Sequence, residues 1–147
     1  MGVDGSENSE KALDLALEIA DKFSASVLIF NVFQAPPEFE SLNMFQQPSA
    51  SGYPQESIDY PLVIQELRKV HEAVLSRATE RATKLKPALK ITSQLDEGDP
   101  ASQIVEAAAN GECDLIVIGH SKAKEFFLGS TCERVAHRAT CALLIAR

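Results

Sequence analysis

Leu115-Ile116-Val117-Ile118-Gly119 is a run of apolar, largely β-branched residues closed by a glycine, and a second Gly-Ser step follows at Gly129-Ser130-Thr131. The first stretch reads as a fully buried strand. The second opens a helix-like stretch from Ser130 to Ala139, and Ala142 to Ala146 then forms another apolar run. A buried strand, a polar loop, a Gly-Ser helix start and a further strand make one turn of an alternating α/β winding. A helix start also offers unpaired N–H groups and partial positive charge, so Gly129-Ser130-Thr131 is a candidate phosphate seat, with Ser130 and Thr131 as expected N-caps.

The same alternation extends toward the amino terminus. Glu97-Gly98-Asp99-Pro100 reads as a turn, with Asp99 as N-cap and Pro100 at the first helical position. Ile104, Val105 and Ala108 carry the helix that Asn110-Gly111 ends, and Ile91 to Leu95 is a weaker strand before it. Upstream, Val63, Leu67, Val70, Val74, Ala78, Ala82 and Leu85 form one apolar stripe that Pro87 stops. Val27 to Val32 is a buried strand, and Ala12, Leu13, Ala16, Leu17, Ala20 and Phe23 repeat at helical spacing behind a polar cap region, Ser6 to Ser9. Met1-Gly2-Val3 is a short apolar start. Either the chain begins inside that strand or the strand is short.

The order βαβαβαβαβ predicts one α/β domain over residues 1–147. Its expected core is a single five-stranded parallel sheet, order 3-2-1-4-5, with helices on both faces. Ligands of such sheets bind beyond the carboxyl ends of strands where the winding reverses, which would bring Asp4 and Gly119 to one crevice. Residues 35–61 interrupt the pattern with five prolines and several aromatics. A loop of that length is functional or mobile.

Composition narrows the function. The chain is 45% hydrophobic and carries a net charge of -7, which argues against nucleic acid and anionic membrane as partners. Three cysteines, Cys113, Cys132 and Cys141, form no CxxC pair and suit a reducing cytoplasm. No apolar run reaches membrane-span length. Cys132, near a helix start, is either a thiol of lowered pKa or a small buried residue. His71, His120 and His137 do not group as metal ligands, and no general base or metal site supports an enzyme.

Taken in order, Val3-Asp4-Gly5-Ser6-Glu7-Asn8-Ser9, Glu97-Gly98-Asp99-Pro100, Cys113 to Gly119, and Leu128-Gly129-Ser130-Thr131 with the closing Ala142 to Arg147 resemble the universal stress protein family. That resemblance implies an adenine-nucleotide site with ATP, ADP or AMP as ligand. Asp4 and Val32 would flank adenine and ribose. Gly119, His120, Ser121 and Lys122 would hold ribose and phosphates, and Gly129, Ser130 and Thr131 would close on the phosphates. Family members that bind ATP carry G-x2-G-x9-G-[ST]. Here Lys122 replaces the second glycine, and six residues instead of nine lead to Gly129. The expectation is therefore a cytoplasmic regulatory module of the stress response with a degenerate, weak nucleotide or phosphate site. Lys122 and Lys124 are either point-charge phosphate binders or solvated loop residues. The alternative is a dimeric interaction protein that binds no nucleotide; a slow ATPase ranks last. The apolar strand Ala142 to Ala146 should be a sheet edge and, by the same resemblance, the homodimer interface. A downstream protein partner is expected but not identified.

Overall fold

The computed structural model describes residues 1–35, 60–120 and 129–147. Helix α1 (Glu7–Phe23) leads to strand β1 (Val27–Phe33), followed by α2 (Tyr60–Leu85) and β2 (Ile91–Glu97). Then come α3 (Pro100–Asn110), β3 (Leu115–Gly119), α4 (Ser130–Arg138) and β4 (Ala142–Ala146). The four helices and four of the five expected strands are present, with ends shifted by up to three residues. Most of the 35–61 loop, together with Ser121, Lys122 and Lys124, lies outside the described residues.

The helix ends follow local chemistry. Ser6 caps α1 by accepting from the Ser9 N–H, and Ser24 closes it in the left-handed conformation. Asp99 caps α3 by accepting from the Ser102 N–H, with Pro100 in the first turn and Gly111 at the end. These are the caps that the sequence signals indicate.

Strands β1 and β2 pair in parallel, Val27 opposite Ile91 through Phe33 opposite Glu97. Strands β3 and β4 pair in parallel, Leu115 opposite Ala142 through Gly119 opposite Ala146. Met1–Val3 lies between the pairs but forms a single parallel bridge, Gly2 to Phe30, rather than a strand with a full ladder. Its backbone nonetheless bonds to both sides. Gly2 N–H donates to Val117 O (2.9 Å), Val3 N–H to Phe30 O (2.8 Å), and Phe30 N–H to Met1 O (2.8 Å). The expected single five-stranded sheet thus appears as two parallel pairs, because three residues give too few bonds for a ladder of their own.

Side chains alternate between the two faces along β3, and both faces are buried. Ile116 and Ile118 pack with Ala101 and Ala108 of α3 and Cys132 and Val135 of α4. Val117 points the other way, to Ala12 and Ala16 of α1. On that second face Leu13 and Leu17 of α1 and Leu75 and Ala82 of α2 cover Val27 and Ile29 of β1. Helices therefore cover both faces, which is the layering that near-continuous apolar strands require.

Candidate functional site

The turn from Val3 into α1 is built by its own side chains. Asp4 Oδ1 accepts from the Ser6 N–H (2.9 Å), Ser6 Oγ accepts from the Ser9 N–H (3.2 Å), and Ser9 Oγ donates to Ser6 O (2.9 Å). Ser9 Oγ also accepts, weakly, from the Asp4 N–H at 3.4 Å. Partial burial raises the Asp4 pKa, but the hydrogen bonds from Ser6, Ser9 and its own amide outweigh this and hold the carboxyl below its ordinary value. Asp4 is therefore an exposed, ionised acceptor in a fixed turn.

Strand β3 ends against this turn. An ideal Cβ on Gly119 would lie 2.6 Å from Asn8 C and O and 2.7 Å from Ser9 N. The glycine is needed because the α1 backbone occupies the place of a side chain. Sequence reasoning assigned this glycine to ligand approach; packing alone already demands it. His120, the next residue, is buried, its N–H donating to Ala146 O (2.7 Å).

Helix α4 opens at the same end of the sheet. Gly129 is its N-cap, with φ 78° and ψ 145° and no side-chain capping bond. That backbone conformation is nearly exclusive to glycine. Among the described residues nothing lies within 4 Å of where its Cβ would be. Ser130 and Thr131, expected from sequence to be the caps, are the first and second helical residues. Ser130 is exposed and Thr131 half-buried. The physical reason is the backbone of Gly129, which takes the cap position that serine would fill.

Cys132 joins the two halves. It is buried, and its Sγ lies 3.5 Å from Gly119 O as a weak donor. Burial pushes the thiol pKa up, and the nearby Asp4 carboxylate adds to the rise. The lowered-pKa alternative is thereby overturned, since desolvation and a neighbouring negative charge outweigh the helix terminus. Gly119 touches both the α1 turn, to which Asp4 is tied through Ser9, and Cys132 in the first turn of α4. Val32, half-buried near the carboxyl end of β1 opposite Asp96, belongs to the same end of the sheet. Ser121 and Lys122 lie outside the described residues.

Two features escaped sequence reasoning. Asn8 is buried within α1, with its Nδ2 donating to His120 O. Asn31 is fully buried in β1, where Nδ2 donates to Val3 O (2.6 Å) and Oδ1 pairs with His71 Nδ1 (2.7 Å). The His71 ring meets Phe33 edge-on at 5.4 Å. This pair ties α2 to the Met1–Val3 segment. A polar residue inside the apolar run Val27 to Phe33 was the available signal for Asn31, whereas Asn8 lies among polar cap residues that hide it. A cleft of about 650 Å³ among the described residues is at the opposite end of the sheet, beside Met1, Phe23 and Leu115. Among the described residues no group of three His, Cys, Asp or Glu side chains could hold a metal ion.

The model of the universal stress protein family matches residues 1–147. The chain belongs to the universal stress protein family. The universal stress protein YxiE of Bacillus subtilis is 30% identical over 151 residues, covering 100% of this chain and 96% of that one. A crystal structure of a universal stress protein in complex with cAMP superposes with a TM-score of 0.66. It is 27% identical and covers 100% of this chain and 93% of its own. A universal stress protein from Archaeoglobus fulgidus in complex with dAMP shares the fold, at TM-score 0.62 and 19% identity over 99% of this chain and 94% of that one. The universal stress protein fold thus holds the α1 turn, the β3 exit and the α4 start together. Among the described residues no helix is long and apolar enough to cross a membrane.

Proposed function

We propose that this chain is a cytoplasmic regulatory module of the stress response that binds an adenine nucleotide, or phosphate alone, at the crevice shared by Asp4, Gly119 and the start of α4. One observation carries the reading: α4 begins at Gly129, whose positive-φ backbone takes the cap position without a side-chain cap, and among the described residues nothing lies within 4 Å of its Cβ position. Unpaired N–H groups at such an opening favour an anion. The cAMP complex of a relative 27% identical to this chain supports adenine as the base. Asp4, held ionised, suits hydrogen-bond donors of the sugar or base. Val32 lines the base side, and Ser130 and Thr131 add hydroxyls at the phosphate end. His120, Ser121 and Lys122 complete the assignment by resemblance.

The same reading joins the two strand pairs through Met1–Val3 into one sheet of order 3-2-1-4-5. Its support is the bonding of Gly2 to Val117 and of Val3 to Phe30. Strand β4 then lies at an edge. Leu143, Leu144 and Ile145 are half-buried there, which suits homodimer formation through that strand. Titration calorimetry with ATP, ADP, AMP and cAMP tests the nucleotide site: heat from at least one ligand is expected. Silence from all four, with no heat from inorganic phosphate, would favour the second reading. That reading is a dimeric interaction protein without nucleotide, and it draws on Lys122 and the short approach to Gly129.

A further inference from the structure

The exit of β3 is gripped from three elements. His120 N–H donates to Ala146 O on β4, Gly119 O faces the Cys132 thiol on α4, and His120 O accepts from Asn8 Nδ2 on α1. The first two grips come from elements that a parallel sheet places there in any case. The third does not. Asn8 extends the α1 stripe of Ala12 and Ala16, which packs on apolar Val117 and Ala146. Packing alone would be met by another small apolar residue. Instead the position holds a carboxamide that is 6% exposed, and its buried Oδ1 has no hydrogen-bond partner among the described residues. An unpaired buried acceptor is destabilising, and such groups are kept where they serve a purpose other than stability.

We propose that Asn8 is a positioning residue for the nucleotide site. By holding the His120 carbonyl it fixes the backbone of His120 where β3 leaves the sheet, beside the proposed crevice. Gly119 makes this possible, since its missing side chain lets Asn8 approach the strand end. The inference rests on the proposed nucleotide reading for its ligand, but the grip itself is independent of ligand.

The experiment uses the full chain and the variants Asn8→Ala and Asn8→Asp, the second nearly isosteric but offering a carboxylate to the His120 carbonyl. Amide hydrogen exchange without ligand is read first. Exchange at His120 should accelerate about tenfold in both variants while Val117 stays protected. Equal acceleration along all of β3 would mark a merely structural role, and unchanged His120 exchange would overturn the grip. Calorimetry with AMP is read second. Affinity should fall about tenfold in both variants while thermal midpoints stay close together. If the parent binds AMP and both variants bind it equally well, the positioning role fails. If the parent binds no nucleotide, the functional reading fails while the exchange result still decides the grip.

Discussion

Two helix starts face each other across the end of β3, and they are built in opposite ways. At α1 the backbone groups are occupied by Asp4, Ser6 and Ser9, and the helix presses on Gly119 so closely that no side chain fits. At α4 the cap is a glycine, which offers the helix start no side chain, and among the described residues nothing lies within 4 Å of its Cβ position. Both sites hold glycine, for unlike reasons: Gly119 for space, Gly129 for backbone angle. The closed start behaves as scaffold. In the function proposed above, the second start receives a group from outside the chain. A glycine in a motif therefore does not by itself mark a ligand.

The strongest way to break this contrast is Gly119→Ala. Its Cβ would meet backbone atoms of Asn8 and Ser9 at 2.6–2.7 Å, and backbone cannot rotate away as a side chain can. We expect a loss of roughly 3 kcal/mol, the upper end of ordinary overpacking, seen as a lower denaturant midpoint. A midpoint equal to the parent's would mean that α1 yields easily, and the closed start would not be closed. Gly129→Ala should cost less, about 2 kcal/mol, because only the backbone angle is strained and nothing crowds the new methyl. A Gly129 variant less stable than the Gly119 variant would reverse the comparison.

How much of this was legible beforehand follows the range of each interaction. Asp99 as cap with Pro100 behind it, and Gly111 as stop, were readable because their partners lie within a few residues. The alternation of buried strands and striped helices was readable for the same reason. The reach of Asn8 to His120 spans 112 residues, and that of Asn31 to His71 spans 40. No local pattern reports such a partner. The cap of α4 was misread because Ser130 has the right chemistry but sits one residue inside the helix. Only the backbone angles of Gly129 reveal that shift.

The orientation of the open helix is itself held by a pair that pH can test. Arg134 on α4 makes two bonds to Asp99, each 2.6 Å, and Arg138 reaches Ser102 on α3 at 2.8 Å. The Arg134 guanidinium, followed by the bonds from Ser102, holds the Asp99 carboxyl well below the usual carboxylate range. A carboxylate lowered in the folded state stabilises the fold above its unfolded pKa, and that contribution is lost as pH falls through the folded value. Arg134→Gln should therefore lower stability by about 1 kcal/mol or less near pH 7, since both partners are partly exposed. The gap from the parent should narrow below about pH 4. Thermal melts showing a gap that widens in acid would contradict the pairing.

The finest test sets Ser6→Ala beside Ser130→Ala. Ser6 caps α1 through its hydroxyl, so its loss should cost about 1 kcal/mol. Ser130 sits inside the first turn of α4, exposed and capping nothing, so its loss should change stability by less than about 0.5 kcal/mol. Ligand binding should rank them the other way. Ser130→Ala should weaken any nucleotide or phosphate by about 1 kcal/mol, the worth of one hydrogen bond. Ser6→Ala should leave affinity nearly unchanged, because its bonds run within the α1 turn. Thermal melts and calorimetry on the same two variants read both rankings. A Ser130 variant that loses stability but no affinity would assign that hydroxyl to the scaffold, and α4 would then start closed like α1.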